Sequence, residues 1–180
     1  MLIAKELKKS NISEYLIYMF QIEDLIRLNN CDFEKVEEAI VKQFKLPEAN
    51  KVEVSKWYES LCRMMNEEGI KENGHLQFIK NQIMELTDFH YRLLELTDDD
   101  KYLSLFDQCR SDLETFRNKL PSKPESDIEV CLYALYSLML MRLKKMSITA
   151  ETHEAMTNFS TMMAYLTKKY HEFEKGILEI

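Results

Sequence analysis

One stretch of the chain, residues 128–143, constrains the fold more than any other. It reads IEVCLYALYSLMLMRL, in which only Glu129, Ser137 and Arg142 interrupt the apolar residues. A helix of this stretch, with 3.6 residues per turn, has apolar side chains on every side. Such a helix is either a membrane span or the centre of a core, and this one lacks the roughly 18 consecutive apolar residues of a span. We therefore predict that it is the central helix of a bundle.

The composition of the chain agrees with an all-α fold. The 180 residues suit one domain, which we place at residues 1–180. Three glycines and three prolines leave few sites for tight hairpin turns, so helices joined by short loops are favoured. We predict a single-domain, all-α bundle of six or seven helices. The net charge of −7 has the wrong sign for a general nucleic-acid binder, so we expect no nucleic-acid partner.

The cysteines and the N-terminus indicate where the protein resides. Four cysteines lie far apart in the sequence and form no CxxC motif: Cys31, Cys62, Cys109 and Cys131. In a helical chain they are expected to be reduced, buried residues without disulfides. The N-terminus, MLIAKELKKS, has no long apolar segment, so neither export nor a membrane anchor is indicated. We predict a cytoplasmic protein.

The chain lacks the short motifs that carry common chemistry. Three glycines cannot assemble a dinucleotide-binding fingerprint, a nucleophile elbow or a phosphate-binding loop. The only ExxH pattern runs from Glu72 to His75 and is interrupted by Gly74, so it does not fit the helical motif of a di-iron bundle. We predict no catalytic residue, no metal ligand and no cofactor.

Two charged residues lie within an apolar arc of the second helix. Glu23 and Arg27 are separated by four residues, a spacing that allows an ion pair on one helix face. One interpretation is a salt bridge at the rim, worth ~0.5 kcal/mol. The other is a buried charged pair that is costly to desolvate and serves a function.

Three further polar residues lie on apolar faces. His90 is at the centre of an apolar stripe in the helix from about 75 to 96; it is either a core histidine with one hydrogen bond or a proton-transfer residue facing a cavity. Glu129 and Arg142 lie on the central helix. With Glu23 and Arg27 they are the candidate ligand-binding residues, although the same five side chains also suit a structural polar network.

The positions of these charges generate a specific hypothesis. If the second and central helices pack together, the Glu23 carboxylate can be shared between the guanidinium groups of Arg27 and Arg142. A separate observation concerns the last helix, where Met156 and Met163 lie beside the main apolar stripe. They predict a second apolar edge, and with it a homodimer, since exposed apolar patches usually mark interfaces.

Several strings of the sequence resemble a bacterial family of unknown function. They are EYLIYMFQIEDLIRLNNCD at 14–32, WYESLCRMMNEEG at 57–69, GHLQ at 74–77 and EVCLYALYSLMLMRL at 129–143. The resemblance covers most of the chain, from Leu2 to about Tyr170. The family is identified as domain of unknown function 4924. The resemblance implies an all-helical, cytoplasmic bacterial protein without an assigned activity, and it transfers no functional residues.

Two functional interpretations follow. The first is a non-catalytic interaction or scaffold protein that self-associates or binds another protein. The second is a small-molecule-binding protein or enzyme with a pocket between helices. A concave pocket on which two or more of the five candidate residues converge would favour the second.

Overall fold

A computed structural model describes residues 2–120 and 124–180. These residues form α-helices, one short 3₁₀ helix and, within the described ranges, no β-strand. The α-helices are α1 (Leu2–Ser10), α2 (Ile12–Leu28), α3 (Phe33–Ala39), α4 (Glu48–Glu67), α5 (Gln77–Leu96), α6 (Asp100–Lys119), α7 (Asp127–Leu143) and α8 (Ala150–Glu174); the 3₁₀ helix is Val41–Gln43. The predicted all-α bundle is confirmed. The described ranges contain eight α-helices, more than the expected six or seven, because α1 and α3 are separate short helices.

Most helices begin where the sequence supplies a polar cap. A side-chain oxygen accepts a hydrogen bond from a backbone N–H of the first turn at the start of α2, α3, α6, α7 and α8, from Asn11, Asp32, Asp99, Ser126 and Thr149 respectively. Such caps satisfy N–H groups that have no partner within the helix. Helix α5 differs, because it follows Leu76, whose side chain has no oxygen to offer.

Helix α7 occupies the centre of the bundle, as predicted. It packs against α2, α5, α6 and α8. Its buried residues are Ile128, Val130, Cys131, Leu132, Ala134, Tyr136 and Leu138. Because neighbours surround it, a helix that is apolar all round is accommodated without exposing a large apolar face.

Helix α8 packs on α6 and α7 and also contacts α2 and α5. Met156 and Met163 are 4% and 1% exposed. The prediction that they form an exposed second edge is therefore wrong. Several helices cover α8, and its buried apolar arc is therefore broader than one stripe. Because Met156 and Met163 are buried within one chain, they give no support to a dimer.

All four cysteines are buried and free.

In the part of the chain that the structure describes, no helix is both long enough and apolar enough to cross a membrane.

The central position of α7 predicts the cost of truncating its side chains. Leu132 is fully buried, whereas Leu28, at the end of α2, is 80% exposed. Leu132→Ala should lower the free energy of unfolding by ~2–5 kcal/mol, because it removes buried methyl groups and leaves a cavity. Leu28→Ala should change it by less than ~0.5 kcal/mol. Urea denaturation of both variants measures the difference, and equal losses would contradict the central placement of α7.

Candidate functional site

The most buried charged group is the carboxylate of Glu23, in the second half of α2. Glu23 is 0% exposed. Its Oε1 accepts a hydrogen bond from the backbone N–H of Leu76 at 2.8 Å. Its Oε2 lies 2.5 Å from Nδ1 of His75. Burial of a carboxylate is costly unless it is hydrogen-bonded, and here both oxygens have a partner.

These contacts explain how α5 begins without a local cap. The Glu23 carboxylate binds the N–H of Leu76, and Oε2 of Glu68 accepts the N–H of Gln77 at 2.7 Å. Two carboxylates, one from α2 and one from the end of α4, therefore take the place of a capping side chain. Their negative charge also faces the positive end of the helix dipole. The loop before α5 turns at Gly74, whose φ of +88° lies in the region that favours glycine.

A short chain of hydrogen bonds leads from Glu23 towards the surface. Nε2 of His75 lies 3.0 Å from the hydroxyl of Tyr133 on α7. The ring of Phe20 stacks on the His75 ring, with centroids 3.9 Å apart. The contacts are all satisfied when Tyr133 donates to Nε2 and Nδ1–H donates to Glu23. Tyr133, His75 and Glu23 thus form a hydroxyl–imidazole–carboxylate arrangement.

The hydroxyl of this arrangement is not activated. Burial, together with the nearby charges of Glu129 and Glu23, raises the pKa of Tyr133 to about 12. A nucleophilic or basic tyrosine would need the opposite shift. The arrangement therefore connects α2, α7 and the loop before α5.

Arg27 belongs to a second, adjacent network. Its Nη1 lies 2.8 Å from Oδ1 of Asp24, and Oδ2 of Asp24 accepts the Tyr136 hydroxyl at 2.6 Å. Nε of Arg27 donates to the carbonyl of Ile70 at 3.3 Å, and Nη2 donates to the carbonyl of Gly74. Arg27 thereby fastens both ends of the loop before α5 to α2.

The hypothesis of a shared carboxylate needs correction. Glu23 is buried, as that hypothesis requires, but its oxygens are bound by His75 and Leu76. Arg27 instead pairs with Asp24, one turn away. Arg142 is exposed at the other end of α7 from Tyr133. The partners differ from those expected because the loop before α5 lies between the charges.

His90 lies in the core. It is 0% exposed, and its Nδ1 is 2.5 Å from the hydroxyl of Tyr102. Its Nε2 has no hydrogen-bond partner among the described residues. Burial lowers the pKa of His90 to about 4, although the charge of Asp127 opposes the shift. His90 is therefore neutral at pH 7.

Glu129 and Arg142 have separate surroundings. Glu129 lies in the first turn of α7, where its Oε2 accepts the N–H of Glu125 at 3.2 Å and its own N–H donates to Ser126. This is close to a capping box. Arg142 makes no ion pair or hydrogen bond through its side chain within the described ranges. The five candidates therefore do not converge on one pocket.

A concave surface runs along α8, and we call it the α8 groove. Its first part has a volume of about 640 Å³ and lies between α8, the start of α2 and the end of α7. A second depression of about 430 Å³ continues along α8 towards Lys175. Both parts share Asn11 and Ala164. Of the five candidate residues, only Arg142 lines it.

His75 is not among the site residues that the sequence predicts. Its spacing from Glu72 suggests only a metal-ligand motif, and its true partner, Glu23, lies 52 residues away. A usable signal is nevertheless present, since Leu76 cannot cap the helix that follows and a remote carboxylate is therefore needed. Among the described residues, no group of three or more histidine, cysteine, aspartate or glutamate side chains could hold a metal ion.

The contacts of Glu23 predict the effect of its removal. Glu23→Ala leaves the buried N–H of Leu76 and the ring of His75 without their acceptor, so it should cost ~3 kcal/mol of stability. Glu114→Ala, at an exposed position of α6, should cost less than ~0.5 kcal/mol. Urea midpoints at equal slope measure both losses. A loss below about 1 kcal/mol for Glu23→Ala would mean that the carboxylate is not a structural anchor.

The pKa of His90 predicts a pH dependence of stability. Its pKa is about 4 in the folded protein, against an ordinary value of 6.5. As the pH falls, His90 of the unfolded chain therefore binds a proton before His90 of the folded protein does. The stability that the protein gains from keeping His90 neutral is complete above pH 6.5 and is lost between pH 6.5 and pH 4. The loss should reach ~2 kcal/mol at about pH 5. The His90→Gln variant has no titratable group at this position. Urea melts at about pH 7 and pH 5 should therefore show that its free energy of unfolding lacks the loss that protonation of His90 causes. Identical pH dependence in both proteins would contradict it.

Comparison with known proteins places the chain in a family without assigning it an activity. Neither the curated proteins nor the solved structures include a significant match. A family model matches residues 1–176, nearly the whole chain. The chain therefore belongs to the family described as domain of unknown function DUF4924.

Proposed function

We propose that this protein is a non-catalytic interaction protein that self-associates through the α8 groove, and that it works in the bacterial cytoplasm. Two kinds of observation support this proposal. The buried ionisable residues are engaged in holding the fold together, as the contacts of Glu23 and Arg27 indicate. The free, buried cysteines suit a reducing compartment.

The α8 groove is the observation that carries the proposal. It follows α8 from His153 to Lys175, about 33 Å of helix axis. A small molecule needs a more enclosed and shorter site, whereas a groove of this length suits a helix from another chain. Its apolar lining includes Leu135, Leu138 and Met139 of α7.

A small-molecule or enzymatic role receives less support. It requires at least two of the five candidate residues to face one pocket. Of these five residues, only Arg142 lines the α8 groove. The hydroxyl–imidazole–carboxylate arrangement of Tyr133, His75 and Glu23 borders none of the larger concave surfaces between the described helices.

Sedimentation velocity over a wide concentration range tests self-association. The wild-type protein should sediment as a species of twice the 21.5 kDa chain mass. Ala164→Arg places a long charged side chain in the groove and should shift the protein to the monomer. Thr115→Arg, at an exposed position of α6, should leave the dimer unchanged. A wild-type protein that stays at 21.5 kDa at every concentration would reject the proposal.

A further inference from the structure

The four cysteines lie in two pairs in the fold, although they are far apart in the sequence. Cys31, in the turn after α2, and Cys62, on α4, line one depression with a volume of about 460 Å³. Cys109 on α6 and Cys131 on α7 form the second pair, in which the nearby Cys109 helps to raise the pKa of Cys131. Both are 0% exposed and border none of the larger concave surfaces of the described ranges. The two pairs therefore differ in their access to solvent.

One side chain holds the backbones of Cys31 and Cys62 next to each other. Nδ2 of Asn66, on α4, donates to the carbonyl oxygen of Cys31 at 2.9 Å and to that of Cys62 at 2.8 Å. Because a single nitrogen atom binds both carbonyls, the two cysteines are neighbours in space. Their side chains face the same depression, so the two thiols lie on the same side of this contact.

The backbone of Cys31 has an uncommon conformation. Its N–H donates to the carbonyl of Ile26 at 3.0 Å and so closes the end of α2. Its φ of +53° lies in the left-handed region, which residues with a Cβ rarely adopt. Strained residues of this kind are concentrated at functional sites. The strain at Cys31 directs attention to the depression that it lines.

The two thiols of the first pair differ in their electrostatic surroundings. Burial raises the pKa of Cys31, but the positive charges of Arg27 and Lys71 oppose this shift. Burial, together with the nearby Cys31 and Asp32, raises the pKa of Cys62 to about 11. Cations stabilise a thiolate, which is the reactive form of cysteine. Cys31 is therefore the thiol that attacks, and Cys62 is the thiol that reacts second.

We propose that Cys31 and Cys62 form a reversible disulfide and that this pair is a redox switch whose oxidant is a low-molecular-weight disulfide. The proposal is independent of the α8 groove. The thiols are free in the structure, and disulfides of cytoplasmic proteins are usually transient and redox-sensing. Arg27, which faces Cys31, also holds the loop before α5. Formation of the bond therefore acts on the segment that positions α5.

The reaction is a two-step thiol–disulfide exchange. The Cys31 thiolate attacks one sulfur of the oxidant, whose S–S bond breaks and releases one thiolate. The Cys62 thiolate then attacks Sγ of Cys31, forms the Sγ–Sγ bond and releases the second thiolate. The protons of both cysteines pass to the released thiolates. The protein loses two electrons, and the oxidant is reduced to two thiols.

Peptide mapping of the wild-type protein tests the proposal without any substitution. The native full-length chain is equilibrated in glutathione buffers of increasing oxidised fraction. It is then unfolded in urea with N-ethylmaleimide and digested with trypsin, which releases Cys31 in peptide 28–35 and Cys62 in peptide 57–63. In the most oxidised buffer, most of the protein should yield these two peptides joined by a disulfide, and a thiol reductant should separate them.

The second pair is the internal control. Cys109 and Cys131 should carry N-ethylmaleimide in the same sample, and the 31–62 crosslink should exceed any crosslink to either of them at least about fivefold. Free thiols at Cys31 and Cys62 in every buffer would overturn the proposal. Equal yields of both pairs would also overturn it, because they would show that the disulfides form in the unfolded chain.

Serine variants test the order of attack. In Cys62→Ser the reaction should stop after its first step, which leaves a glutathione adduct on Cys31. In Cys31→Ser the thiol of Cys62 should remain free in the same buffer. An adduct on Cys62 of Cys31→Ser, with none on Cys31 of Cys62→Ser, would overturn the assignment of Cys31 as the attacking thiol.

Discussion

The buried carboxylate of Glu23 is the interaction on which the arrangement of the helices depends. A charge in the core is costly to desolvate, and it is retained only where hydrogen bonds or opposite charge compensate. The N-terminus of α5 supplies that compensation through the N–H of Leu76 and the positive end of the helix dipole. The helix in turn begins there because the carboxylate is present. Each feature therefore requires the other, and together they fix α5 relative to α2.

The networks around Glu23 and Arg27 also fix the position of α7. Tyr133 binds His75, and Tyr136 binds Asp24. Both tyrosines lie on the central helix, so hydrogen bonds hold one surface of α7 against α2 and the loop before α5. Directional contacts of this kind favour one packing arrangement over its alternatives, which a uniformly apolar helix does not do alone. Helix α2 contributes to both regions, with Glu23 and Arg27 in its second half and Ser13 and Ile17 beside the α8 groove.

The features that the sequence predicts correctly are those set by local or periodic patterns. The continuous apolar stretch of residues 128–143 predicts the central helix, and the scarcity of glycine and proline predicts an all-α fold. The apolar arc around Glu23 indicates that a buried charge is possible. Its partner is not predictable, because His75 is brought to it by a loop that connects α4 to α5 and has no periodicity.

The exposed surface of α8 shows the same limit of sequence reasoning. Met156 and Met163 have the spacing of an exposed edge, but their burial depends on how many helices meet α8, which is a property of the whole bundle. Likewise, the sequence predicts that Arg142 pairs with the buried carboxylate of Glu23, in the second half of α2. Because α2 and α7 are antiparallel, Arg142 at the end of α7 instead lies beside the start of α2. Arg142 is thus left exposed and lines the α8 groove, where a binding surface is proposed.

Amide hydrogen exchange at Leu76 tests most directly whether the Glu23 carboxylate caps α5. In the wild-type protein this N–H is buried and donates to Glu23, so it should be strongly protected. In Glu23→Ala its protection should fall by at least about tenfold more than that of Met162 in α8, since a lost cap costs ~1–2 kcal/mol locally. Equal changes at Leu76 and Met162 would show that α5 begins without the help of Glu23, and would contradict the mutual dependence of the buried carboxylate and the helix.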